Sequence, residues 1–149
     1  MNDSSRANPV SALLVGEYRY EKDRLLVADV FRRFGWRLFE ARDRRRAMQC
    51  LKRYQVQVVI AESNTPYWNW RQVLSYLHSL ARPPQLIVTS RMADDSLWAE
   101  VLNVGGFDLL AQPFVRDEVE RVIAAARRHF DVPARPMGRE PLTVAAGAA

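Results

Sequence analysis

The sequence predicts an α/β fold, a doubly wound sheet of five parallel strands alternating with five helices. Three features carry that expectation. Short runs rich in Val, Leu and Ile recur five times, and a segment with apolar residues at helical spacing follows each. Gly, Pro, Asn and Asp mark most of the junctions. Strict alternation of the two element types requires right-handed crossovers onto a parallel sheet covered on both faces.

Residues 1–10 are polar and aperiodic and are expected to be a flexible lead-in. Ser11-Ala12-Leu13-Leu14-Val15 is a first buried strand, ending at Gly16-Glu17. From Glu21 to Phe34, Leu25, Leu26, Val30, Phe31 and Phe34 recur as a helical stripe, and Gly35 stands where a helix C-cap is wanted. Trp36 to Ala41 alternates and reads as the second strand. Asp43 is an N-cap for a helix to about Tyr54, with Ala47, Met48 and Leu51 inward.

Val58-Val59-Ile60-Ala61 is a central strand, followed by Glu62, the turn Ser63-Asn64-Thr65-Pro66 and the aromatic loop Tyr67-Trp68-Asn69-Trp70. A third helix is expected over about Trp70 to Leu80, stopped by Arg82-Pro83-Pro84. Gln85 to Thr89 is the fourth strand. Asp94-Asp95 opens a helix burying Leu97, Val101 and Leu102, closed at Gly105-Gly106. Phe107 to Ala111 is the fifth strand, and Arg116 to Phe130 the last helix, burying Val119, Val122 and Ile123. Residues 131–149, rich in Pro, Gly and Ala, are expected to be a disordered tail. The domain thus spans 11–130, with the flavodoxin-like strand order 2-1-3-4-5 expected.

The bulk numbers suit one soluble domain. The chain has 149 residues, 48% hydrophobic and 26% charged. No apolar run approaches the roughly 18 residues of a membrane span. The polar N-terminus lacks a signal peptide's apolar core, and the lone Cys50 suits a reducing compartment. A cytoplasmic location and no membrane partner are expected. The net charge of +5 raises nucleic acid or an acidic protein as a partner.

Functional groups of open parallel sheets gather where strands end, which puts Glu62 at the middle of any site. Four segments carry a family resemblance: ARDRRRAM from Ala41 to Met48, the strand and loop Val58 to Pro66, Leu86-Ile87-Val88-Thr89-Ser90, and Gly105 to Phe114, ending Gln112-Pro113-Phe114. Over about residues 11–130 the chain resembles the receiver domain of bacterial response regulators. The resemblance implies two-component phosphorelay signalling, no enzyme activity of the usual kind, and a cis Gln112-Pro113 bond.

Measured against that resemblance, the chemistry is depleted. The two acids that help hold Mg²⁺ correspond to Gly16 and Glu17, the phosphoacceptor to Glu62, the lysine to Gln112, and the switch aromatic to Leu109. Of the phosphate-binding side chains Thr89 remains, with Asn64 on the adjoining loop. Mg²⁺ demands tightly fixed oxygen ligands, and phosphoryl transfer depends on positioning and charge neutralisation. No cofactor is therefore expected, and Mg²⁺ binding is not. Glu62 reads either as an imitation of a phosphorylated aspartate or as a drifted polar residue, and the loss of the lysine and the aromatic favours drift.

Tyr67, Trp68 and Trp70 read as a docking surface or as a plug over the vacated pocket. The fourth helix, fifth strand and fifth helix offer Trp98, Val101, Asp108, Glu118 and Arg121 as a face for a signalling partner or a second copy, with Trp98 favoured as a core-edge residue. Arg42, Arg44, Arg45 and Arg46, with Lys52 and Arg53, form a cationic cluster without interleaved aromatics, read as a solvated face with nucleic-acid binding as the alternative. His78 and His129 stand alone on different helices, so no metal site is expected. A degenerate, stand-alone receiver acting through protein–protein contacts without phosphorylation is the resulting expectation.

Overall fold

The computed structural model describes residues 9–65 and 68–132. Its strands are β1 (Ser11–Val15), β2 (Arg37–Ala41), β3 (Val58–Glu62), β4 (Gln85–Ser90) and β5 (Asp108–Ala111). Its helices are α1 (Glu21–Phe34), α2 (Arg44–Arg53), α3 (Trp70–His78), α4 (Asp95–Asn103) and α5 (Arg116–Phe130). All pairings are parallel, in the order β2-β1-β3-β4-β5. The predicted lead-in and tail fall almost wholly on residues 1–8 and 133–149, outside the described residues.

Alternation along the strands divides the core into two layers. Leu14, Ile60, Ile87 and Leu110 face one side, where Val27, Val30 and Phe31 of α1 meet Val119, Val122, Ile123 and Ala126 of α5. Leu13, Val15, Val59, Ala61, Leu86 and Val88 face the other, under Ala47 of α2, Val73, Leu74 and Leu77 of α3, and Val101 of α4. Strands buried on both faces explain why their sequence is continuously apolar.

Local chemistry sets the helix ends. Gly35 takes the left-handed conformation, φ 70°, that closes α1. Asp43 accepts the Arg46 backbone N–H at 2.9 Å and Asp94 that of Leu97 at 2.8 Å. Asn69 and Gln72 exchange bonds of 3.0 and 2.8 Å in a capping box at the start of α3.

Four sequence expectations need correction. The inner stripe of α1 is Asp23, Val27, Val30 and Phe31, whereas Leu25 and Phe34 are 51% and 47% exposed; a partner from a distant loop makes burial of the aspartate possible. Helix α3 ends at His78, because Ser79 turns its N–H and hydroxyl back onto the Tyr76 carbonyl before the proline pair is reached. On α4 only Val101 is fully buried and Leu102 is exposed, since β5 is an edge strand too short to cover more of the helix. Trp36 and Phe107 lie just outside β2 and β5, packed against the core.

Candidate functional site

The C-terminal ends of β1, β3 and β4 converge, with Glu62 in register with Thr89 and Val15 with Ala61. Gly16 leaves β1 at φ 137°, in the region that favours glycine, and its N–H donates to the Ala41 carbonyl at 3.1 Å. That bend turns the next amides toward β3. The backbone N–H of Glu17 donates to Glu62 Oε1 at 2.9 Å, and the Tyr18 backbone also bonds this carboxylate. A Cβ on Gly16 would lie 2.5 Å from Glu62 Oε1. The longer acid therefore occupies the room that the absent side chain at position 16 leaves. Burial pushes the Glu62 carboxyl above its ordinary value, against the opposing pull of the two amides.

A second set of contacts lies beside this carboxylate. Tyr18 has φ 46° and is 3% exposed, its hydroxyl 3.0 Å from Thr89 Oγ1. Burial drives its phenol pKa upward. The Tyr18 ring packs 6.3 Å from that of Phe114. Gln112 donates from Nε2 to Asp23 Oδ2 at 2.9 Å, and the Phe114 backbone N–H donates to Asp23 Oδ1 at 2.9 Å. The intervening Gln112-Pro113 bond is cis. Thus Gln112 is held by an aspartate of α1 rather than turned toward Glu62. Thr89 is spent on Tyr18, Asn64 is exposed on the loop after β3, and Leu109 is half-buried.

Sequence reasoning missed Tyr18 and Asp23. Both had a signal: a tyrosine directly after the Gly16-Glu17 turn, and an aspartate at a position four before the buried Val27. Neither signal reveals its partner, which lies 71 residues away for Tyr18 and 89 for Asp23.

The aromatic loop is not a docking surface at its tryptophans. Trp68 and Trp70 are 4% and 6% exposed and belong to the core under α3, with Trp68 edge-on to Tyr76 at 6.3 Å. Large rings beside a capped helix start bury more area inward than a loop in solvent offers. Tyr67 lies outside the described residues. The aromatic side chain that lies against Thr89 is Tyr18.

Trp98, expected at the core edge, is 47% exposed, its indole N–H donating to Asp108 Oδ1 at 3.1 Å. Val101, expected on the same face, is buried. His78 of α3 and His129 of α5, with Arg82 and Asp131, line one cleft of about 820 Å³ at the opposite end of the sheet. Among the described residues no three His, Cys, Asp or Glu side chains are grouped to hold a metal ion. No helix among them is long and apolar enough to cross a membrane.

Gly16 brings no side-chain oxygen to this place, Glu17 is exposed, and Glu62 accepts the Glu17 backbone N–H.

This topology, with its Thr89 and cis Gln112-Pro113 landmarks, is the receiver-domain fold. The chain superposes on the receiver domain of Francisella response regulator 1452 with a TM-score of 0.67 at 19% identity, over 80% of this chain and 98% of that one. For the signal receiver domain of an HD domain-containing protein from Pseudomonas fluorescens the TM-score is 0.70 at 24% identity, over 82% and 97%. For the chemotaxis response regulator CheY4 of Vibrio cholerae it is 0.66 at 15%, over 78% and 98%. No protein-family model and no curated protein matches the chain.

Proposed function

We propose that this chain is a receiver-fold signalling module that acts by binding another protein, without phosphorylation and without catalysis. One observation carries the reading. The chain's own groups fill the would-be phosphorylation site: the Glu17 amide bonds Glu62, Asp23 holds Gln112, and Tyr18 bonds Thr89. An acceptor held by backbone amides is poorly placed to attack a phosphoryl donor, and no lysine is there to neutralise the developing charge. The binding face of this reading lies on α4 and β5, where Trp98 and Leu102 are exposed one helical turn apart. The partner is a signalling protein or a second copy of the chain.

Incubation with acetyl phosphate or beryllofluoride and Mg²⁺ tests it by intact mass and tryptophan fluorescence. No adduct and no Mg²⁺-dependent spectral change are expected; a stoichiometric adduct overturns the reading. The rival in which Glu62 imitates a phosphorylated aspartate has less support, because its carboxylate bonds the β1–α1 loop and not Thr89 or Gln112. In the favoured reading Glu62→Gln leaves partner binding unchanged, and a loss of binding would restore the rival.

A further inference from the structure

The cationic cluster does have aromatics, which only the fold brings to it. Phe39 of β2 and Tyr54, the residue closing α2, stack with ring centroids 4.5 Å apart and planes 23° from parallel. The Arg37 guanidinium lies 5.3 Å from the Phe39 ring centre and 5.8 Å from that of Tyr54, and Arg53 lies 5.5 Å from Tyr54. Tyr54 remains 37% exposed. Strand β2 is a sheet edge, so no neighbouring strand covers this side.

Little of the charge on the adjoining helix meets an acid among the described residues, and only Lys52 and Arg53, in its last turn, suit the helix dipole. Helix α2 carries Arg44, Arg45, Arg46, Lys52 and Arg53, all exposed, and no acid, so its charge of +5 equals the net charge of the whole chain. Three arginines in a first turn oppose the helix dipole. Among the described residues only Arg46 of these five has an acidic neighbour, Asp43 at 3.9 Å.

We propose that the β2–α2 edge, with Tyr54, backed by the half-buried Phe39, as the stacking platform and the α2 cations as phosphate contacts, binds single-stranded nucleic acid. A π surface rimmed by guanidinium groups accepts an unstacked base of any sequence, while the cations track the backbone. An acidic peptide would use the charges and leave the rings idle. A duplex would meet the charges with its bases out of reach of the platform. The inference uses neither Glu62 nor Trp98, so it does not rest on the reading above.

The test is fluorescence anisotropy of the full chain with labelled oligo(dT) of roughly 20 nucleotides. Binding is expected at roughly 50 mM salt, with a logarithmic salt slope of about −0.7 for each phosphate engaged. Tyr54→Ala is expected to weaken binding about tenfold and Tyr54→Phe to preserve it. Because Tyr54 ends a helix, a second pair of variants keeps the test independent of its folding. Arg44→Glu with Arg45→Glu, which suits the dipole at the first turn of α2, is expected to weaken binding at least about tenfold, and the charge-matched Arg33→Glu with Arg128→Glu on α1 and α5 to leave it unchanged. No binding at low salt overturns the proposal. Equal displacement of the probe by polyglutamate, or by duplex DNA of the same length, assigns the surface to an acidic protein or to unspecific charge and overturns it as well.

Discussion

Gly16 and Glu62 form one unit, and their coupling can be measured. Gly16→Ala places a Cβ where φ is 137° and where Glu62 Oε1 lies 2.5 Å away, so a loss of about 1–3 kcal/mol is expected in urea unfolding. Adding Glu62→Ala removes the clash but not the backbone strain, so part of the loss should return; strictly additive effects would show that the two do not touch. Burial raises the Glu62 carboxyl, and a raised acid favours folding below its unfolded-state pKa and loses that contribution as pH rises through its folded value. Glu62→Gln is therefore expected to be at least as stable as the parent at neutral pH, with the difference vanishing or reversing in acid. A parent that gains stability over Glu62→Gln as the carboxyl ionises would contradict the assignment. Asp23 is the larger stake. Asp23→Ala strands the Phe114 amide and the Gln112 side chain in the core, and a loss of about 2–3 kcal/mol is expected by the same measurement.

At the scale of elements, stability divides between helix ends and buried faces. Asn69→Ala removes the capping box of α3 and should cost about 1 kcal/mol. The Arg71–Glu100 pair joining α3 to α4 is half-exposed, so Arg71→Ala is expected to cost under about 1 kcal/mol. Comparing the two unfolding midpoints checks both. The caps Asp43 and Asp94 were open to sequence reasoning because a cap is a contact across three residues. The stripe of α1 was misread because periodicity counts apolar residues and excludes a buried aspartate whose partners lie on the β5–α5 loop.

For the molecule as a whole, the face around Trp98 separates binding from folding. Trp98→Lys alters a half-exposed side chain and leaves a donor within reach of Asp108, so the unfolding free energy should stay within about 1 kcal/mol of the parent. If a second copy is the partner, sedimentation velocity of the parent shows a dimer that this variant lacks. Self-association unaffected by the substitution would move the interface elsewhere. Fold class, strand order and nearly every element could be read from the chain, because hydrophobic period, turn residues and caps are local or summed over many residues. So could the identities of Gly16, Glu62 and Gln112 at the positions where the resemblance expects an acid, an aspartate and a lysine. The contacts these residues make were decided by tertiary structure alone. Parallel pairing set Glu62 beside the β1–α1 loop, Tyr18 against Thr89, Asp23 against Gln112, and Phe39 against Tyr54. The residues of the first three pairs lie 45 or more apart in the chain, and contacts at that range leave no periodic trace in a single sequence.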